Sequence, residues 1–260
     1  MSLFEQFRLD GQTAVVTGGS RGLGRQMAGG LAEAGADVAI PDVAGERAET
    51  AAAEIADEHG VATTATETDV TETDDVAAMA ETVADELGPV DVLVNNAGIV
   101  ENAPAEEMTG EEWGSVIDVN LTGVFNCARE IGGRMLDRGA AGRIVNVASV
   151  AGRIVPHPQP QASYNASKAG VYGLTRSLAS EWATEGIRVN AVGPGYMRTD
   201  LVDDVLTADP EMEEAWLDAT PAERLGRPEE LRAVVVFLAS EASSFVTGEV
   251  VFVDGGLSVR

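Results

Sequence analysis

Seven short runs rich in β-branched and other apolar residues constrain the fold of this chain more than any other feature. They lie at 13–18 (TAVVTG), 37–41 (DVAIP), 61–67 (VATTATE), 90–96 (VDVLVNN), 142–149 (GRIVNVAS), 187–194 (IRVNAVGP) and 249–255 (EVVFVDG). Most are continuous rather than alternating, the pattern of strands buried on both faces of a parallel sheet. Parallel neighbours need a crossover, and helix-like stretches at 45–59, 74–87, 111–138, 163–185 and 229–239 lie between the runs. The alternation predicts an α/β fold with a doubly wound sheet. Repeats, low-complexity linkers and composition breaks are absent, so residues 1–260 read as one domain. One segment breaks the rhythm: 196–227 reads as a long acidic connection with two prolines, of the kind that forms a lid over a site.

The bulk numbers exclude several functions. Apolar residues make up 45% of the chain, enough for a sizeable core. The longest apolar run, 233–239, is far short of the roughly 20 residues a membrane span requires. The opening MSLFEQFRLDG lacks the basic start and apolar stretch of a signal peptide. A lone cysteine, Cys127, permits no intrachain disulfide and reads as core filler, so the expected location is cytoplasmic. Two histidines and one cysteine, far apart, offer no metal site. The formal net charge of −26 repels nucleic acid and anionic lipid. Such self-repulsion is relieved by molar salt, which points to a halophilic source; an acidic protein of a mesophile with an arginine-rich code is the other reading.

The first run leads into TGGSRGLG at 17–24, where Gly18, Gly22 and Gly24 permit a tight turn and close approach of a bulky anion to the next helix N-terminus. By itself such a turn is equally compatible with a purely structural connection. Asp42 adds weight. It ends the second run 18 residues after Gly24, near the roughly 20 expected of an acid that grips an adenosine ribose and repels a 2′-phosphate. Arg21, within the turn, is either a surface arginine or a partner for such a phosphate. The balance favours NAD over NADP.

Of the 17 basic side chains only Lys168 is a lysine, and it stands four residues after Tyr164 on one helical face. A free phenol with a pKa near 10 is a poor base at neutral pH. A neighbouring cation stabilises the phenolate, and a compact ammonium on a thin stem fits where a planar guanidinium would not.

These residues resemble the short-chain dehydrogenases/reductases over nearly the whole chain. The T-G-x-x-x-G-x-G turn at 17–24, N-N-A-G at 95–98, N-L-x-G at 120–123, Ser149 after the fifth strand, Tyr164 with Lys168, and Pro194, Gly195 and Thr199 carry the likeness, with VDGG near the end. The resemblance implies a single-domain Rossmann fold, a seven-stranded parallel doubly wound sheet flanked by helices, and a homotetramer. It implies a catalytic set of Asn120, Ser149, Tyr164 and Lys168. In that set Tyr164 is the general base, Ser149 holds the substrate oxygen, and Lys168 bonds the nicotinamide ribose. Asn120 positions a water that connects Lys168 to solvent. Cofactor contacts are implied for Gly18, Ser20, Arg21, Gly22, Leu23, Gly24, Asp42, Asp69, Val70, Asn96, Ala97, Gly98, Tyr164, Lys168, Pro194, Gly195, Met197 and Thr199.

Between Ser149 and Tyr164 lies VAGRIVPHPQPQAS, whose His157, Gln159 and Gln161 are candidate hydroxyl binders beside Ser149 and Tyr164. A rigid loop with solvent-facing polar groups is the plainer reading. The P-Q-x-Q stretch resembles that of sugar-alcohol and ketose reductases in the family. The expected function is therefore NAD-dependent interconversion of a secondary alcohol and a ketone, or a lactol and a lactone, on a sugar or polyol. The alternatives are an NADPH-dependent 3-oxoacyl thioester reductase and a non-catalytic nucleotide-binding sensor or scaffold. The charge generates a prediction of its own: melting temperature should rise from low to molar KCl, and a flat response refutes the halophilic reading.

Overall fold

All seven runs form strands in the computed structural model, which describes residues 2–259. They are β1 (Thr13–Val16), β2 (Asp37–Asp42), β3 (Thr63–Glu67), β4 (Val90–Asn95), β5 (Gly142–Val147), β6 (Ile187–Pro194) and β7 (Val250–Val253). One sheet holds them in the order β3-β2-β1-β4-β5-β6-β7, with every neighbouring pair parallel. The chain builds outward from β1 to β3, then crosses back to β4 and continues to the other edge. This reversal opens a crevice at the carboxyl ends of β1 and β4, where doubly wound sheets place their ligands.

Helices α1 (Gly22–Glu33), α2 (Gly45–His59) and α9 (Arg232–Ala239) cover one face. Met27, Leu31, Ile55 and Leu238 pack there on Val16, Ile40, Val94 and Val145. Helices α3 (Thr73–Glu86), α5 (Gly123–Arg138) and α6 (Ala162–Trp182) cover the other, where Met79, Ile131, Met135 and Leu178 meet Val15, Leu93, Ile144 and Val189. Successive strand residues thus enter opposite cores, which is why these strands are apolar throughout. Cys127 is buried in the second core, and burial pushes its thiol up to about 12, consistent with core filler.

Two expectations about helices are corrected. The stretch 111–138 is not one helix: α4 (Gly110–Ile117) passes through a π turn at Asp118–Thr122 before α5 begins. There the Gly123 N–H reaches back five residues to the Asp118 carbonyl. A side chain on Gly123 would collide with Val70, so helix and loop meet closely just past the bulge. The segment 196–227 is not an extended connection either, since it contains α7 (Asp200–Ala208) and α8 (Pro210–Ala219). Thr199 caps α7 by accepting from Val202 N–H, and Asp209 caps α8 through Glu211 N–H. Leu206, Trp216 and Leu225 form a small core under these helices. The base of the excursion is closed where Gly226 N–H donates to Tyr196 O and Arg198 N–H to Gly226 O, each at 2.8 Å.

No described helix is long and apolar enough to cross a membrane.

Candidate active site

The crevice wall is built from the turn after β1 and the segment after β4. The Thr17 hydroxyl accepts from the N–H groups of Asn96 (3.0 Å) and Ala97 (3.1 Å), while the Asn96 amide donates back to the Thr17 and Gly18 carbonyls, each at 2.9 Å. This reciprocal clasp ties N-N-A-G to the glycine turn. Gly18 and Gly22 adopt φ of 61° and 55°, which side-chain-bearing residues rarely accept. A side chain on Gly24 would strike the Gly18 carbonyl oxygen and the Asn96 amide. Gly22 instead faces open space bounded by the Thr199 methyl, 3.9 Å from where a Cβ would stand. Arg21, exposed, precedes α1 in extended backbone and provides no side-chain cap, so the first N–H groups of α1 point outward from the turn. These features fit a dinucleotide pyrophosphate.

Asp42, 6% exposed at the end of β2, is held on both oxygens. One accepts from the Ser20 hydroxyl at 2.5 Å and more weakly from Ser20 N–H at 3.4 Å; the other accepts from Ala44 N–H at 3.1 Å. Arg47, whose Nε donates to Ser20 Oγ at 2.8 Å, also reaches Asp42 at 3.5 Å. The sequence offered no sign of this arginine's part. Leu23 packs partly buried against the core. Asp69 closes the turn after β3, accepting from the Thr71 N–H (2.9 Å) and hydroxyl (2.8 Å), and the Val70 carbonyl accepts from Asn126 at 3.1 Å. Pro194 ends β6, and Gly195 N–H donates to Val253 O at 3.0 Å. Met197 is buried beside Gly226, which has no side chain to exclude it.

On the other side of the crevice, α6 presents Tyr164 and Lys168 on one face. Lys168 Nζ is buried, lies 5.6 Å from the centre of the Tyr164 ring, and donates to the Val147 carbonyl at 2.8 Å. Burial pulls this ammonium down to about 8. Ser149 begins a short helical turn, its hydroxyl accepting from Ala151 N–H at 3.1 Å and lying near enough to the Tyr164 phenol to influence it. The expectation that Tyr164 sits below its ordinary value is corrected: burial raises it, and the Ser149 hydroxyl pulls only part of the way back. The Lys168 ammonium, which donates to the Val147 carbonyl, does not offset this effect of burial.

Asn120 occupies the π turn and is fully buried. Its Oδ1 accepts from Ile99 N–H and its Nδ2 donates to Ile99 O, both at 2.8 Å, with a further bond to Ser167 Oγ at 3.2 Å. Asn120 thereby fixes the segment that follows Gly98. A Cβ on Gly98 would lie 3.2 Å from Asn120 Oδ1 and 3.6 Å from Lys168 Nζ, so the glycine leaves room where these two groups approach each other.

The loop before α6 also ties its amides to neighbouring elements. Gln161 is buried and donates to Asn165 at 3.0 Å. Gln159 bridges to the 196–227 segment: it accepts from Trp216 Nε1 at 3.2 Å and its Nε2 lies 3.5 Å from the Tyr196 hydroxyl. Tyr196 and Trp216 stack with centroids 4.3 Å apart. This loop and the 196–227 segment border an open pocket of about 330 Å³ whose lining includes Ile154, Pro156, His157, Pro158, Tyr196 and Ala219. None of the catalytic candidates lines it. No group of residues suited to hold a metal ion occurs among the described residues.

A family model described as Enoyl-(Acyl carrier protein) reductase matches residues 18–258. The chain is 46% identical over 259 residues to galactitol 2-dehydrogenase of Rhizobium johnstonii, covering 99% of each. Among solved structures, a short-chain type dehydrogenase/reductase from Mycobacterium marinum superposes with a TM-score of 0.95 at 39% identity, over 100% of both chains. A gluconate 5-dehydrogenase from Burkholderia cenocepacia, solved with NADP and tartrate, gives 0.93 at 40% identity, again over 100% of both. With the glycine turn clasped to N-N-A-G and Ser149, Tyr164 and Lys168 assembled at the end of β5, these likenesses have one meaning: the chain belongs to the short-chain dehydrogenase/reductase family, NAD(P)-dependent oxidoreductases acting on CH–OH groups.

Proposed function

We propose that the chain is an NAD-dependent dehydrogenase that interconverts a secondary alcohol and a ketone on a sugar or polyol. The observation that carries this reading is the Lys168 ammonium bonded to the Val147 carbonyl and standing over the Tyr164 ring, with the Ser149 hydroxyl near enough to lower the Tyr164 phenol. The similarity to galactitol 2-dehydrogenase and gluconate 5-dehydrogenase supports the substrate class.

NAD would be held by Gly18, Ser20, Gly22 and the start of α1 at its phosphates, by Asp42 at the adenosine ribose, and by Asn96, Gly98, Lys168 and Thr199 toward the nicotinamide. When bound it supplies the hydride acceptor, and its positive ring favours an ionised phenol nearby. Tyr164 Oη takes the proton from the substrate hydroxyl in oxidation and returns it in reduction. Ser149 Oγ donates to the substrate oxygen and keeps it against Tyr164. Lys168, near its neutral point at about pH 8, exchanges a proton with solvent past Asn120 and Gly98. The Asp42 carboxylate, held in place by Ser20 and Ala44, would meet a 2′-phosphate with like charge, and this supports NAD. Arg47 and Arg21 stand nearby as the residues through which NADP would be tolerated.

The remaining expectations are proposals of the same standing. Exposed Trp113 and Phe125 on α4 and α5 support assembly into a homotetramer. The buried lone thiol suits a cytoplasmic location, and the charge of −26 supports a halophilic source. The second reading, a 3-oxoacyl thioester reductase using NADPH, is supported by 43% identity over 248 residues to a 3-oxoacyl-[acyl-carrier-protein] reductase of Staphylococcus aureus and by Arg21 in the turn.

The deciding assay follows reduction of NAD and NADP in high salt across polyols, aldoses and sugar acids, with a 3-oxoacyl thioester and NADPH as a separate arm. Turnover of a polyol or sugar with NAD is the expected result. Activity confined to the thioester arm replaces this reading with the second, and silence everywhere points to a nucleotide sensor. Tyr164→Phe should lower kcat by about a thousandfold while NAD binding, read by calorimetry, stays within a few fold. Lys168→Arg should lose about a hundredfold although it keeps the charge; full activity there would refute the argument from side-chain shape.

A further inference from the structure

The catalytic face of α6 continues past Lys168. Tyr164, Lys168 and Tyr172 recur at intervals of four, a single stripe along the helix. The second and third members reach carbonyls two residues apart at the end of β5: Lys168 donates to Val147 O, and the Tyr172 hydroxyl donates to Ser149 O. Gly152 N–H bonds the same Ser149 carbonyl at 3.1 Å. Ser149 is thus gripped at its backbone by Tyr172 and Gly152 while its hydroxyl faces Tyr164.

The ring of Tyr172 is itself held. It stands edge-on to Phe252 of β7, with centroids 6.1 Å apart and planes at 86°. The Arg153 guanidinium lies 5.0 Å from the Phe252 ring centre. Gly193 makes room for this arrangement, because a side chain there would collide with Phe252. A phenol fixed this way and aimed at one carbonyl does more than fill space, since a phenylalanine would pack equally well. Burial pushes Tyr172 up to about 12, so it stays protonated and remains a donor over the working pH range.

We propose that Tyr172 is a positioning residue which, through the Ser149 carbonyl, holds the Ser149 hydroxyl in register with Tyr164. This rests on the reading of Ser149 and Tyr164 given above. If the Ser149 hydroxyl stabilises the ionised phenol, loosening Ser149 raises the pH at which Tyr164 gives up its proton.

Tyr172→Phe tests this, because it keeps the ring and removes only the hydroxyl. In polyol oxidation kcat should fall about tenfold with KM within twofold, and the acid limb of kcat/KM should move to higher pH. In a Ser149→Ala background the same substitution should cost less than twofold, since the group it positions is gone. A full tenfold loss in that background, or a wild-type kcat and pH profile in Tyr172→Phe, overturns the proposal. A second readout needs no turnover. Nuclear magnetic resonance of protein labelled at the tyrosine Cζ follows each of the 3 tyrosines, and the Tyr164 signal should titrate at higher pH in Tyr172→Phe. An unchanged Tyr164 titration likewise overturns it. Should the wild type turn over nothing, the functional reading falls, and this titration alone decides the role of Tyr172.

Discussion

A buried ammonium bonded to the last carbonyl of a central strand organises this molecule's active end. Lys168 leaves water, donates to Val147 O, and stands over the Tyr164 ring. An unpaired cation in such a place is expensive, and burial draws it down to about 8. The surrounding architecture tolerates that cost because every nearby group is committed. Asn120 is occupied by Ile99 and Ser167, and Ser149 by Ala151 and Tyr172. The site is therefore preorganised, with little freedom left to lose.

The same economy explains the crevice wall. One threonine and one asparagine, Thr17 and Asn96, join two loops that are distant in sequence and adjacent only because the strand order reverses between β1 and β4. A buried polar line continues inward, with Asn95 donating to Asn146 and Asn146 to Thr175 of α6, each at 2.9 Å. These contacts link β4, β5 and α6, so the segments bearing Gly98, Ser149 and Tyr164 share one rigid frame.

Much of this was legible in the sequence because it depends on local chemistry. Continuous β-branched runs announced strands buried on both faces, glycines at 18, 22 and 24 announced a turn, and the spacing of Tyr164 and Lys168 placed both on one helical face. What escaped depends on contacts made across the fold. The π turn has no compositional mark; it becomes necessary only when Asn120 must satisfy both backbone groups of Ile99. Helices α7 and α8 are short, and their caps at Thr199 and Asp209 lie among so many acids that they do not stand out. Gln159 and Gln161 also bond Trp216 and Asn165, partners which the sequence could not bring into range. Tyr172 was hidden because its partner is a carbonyl, a group every residue carries.

The scarcity of lysine has a chemical consequence suited to a protein that would work among sugars. Reducing sugars condense with unprotonated side-chain amines and gradually scar the proteins that handle them. Sixteen of the 17 basic groups here are guanidinium ions, which stay protonated and condense poorly. The one amine in the set is enclosed behind a tyrosine ring, 4% exposed. A surface whose charged side chains are carboxylates and arginine gives free aldoses little to attack.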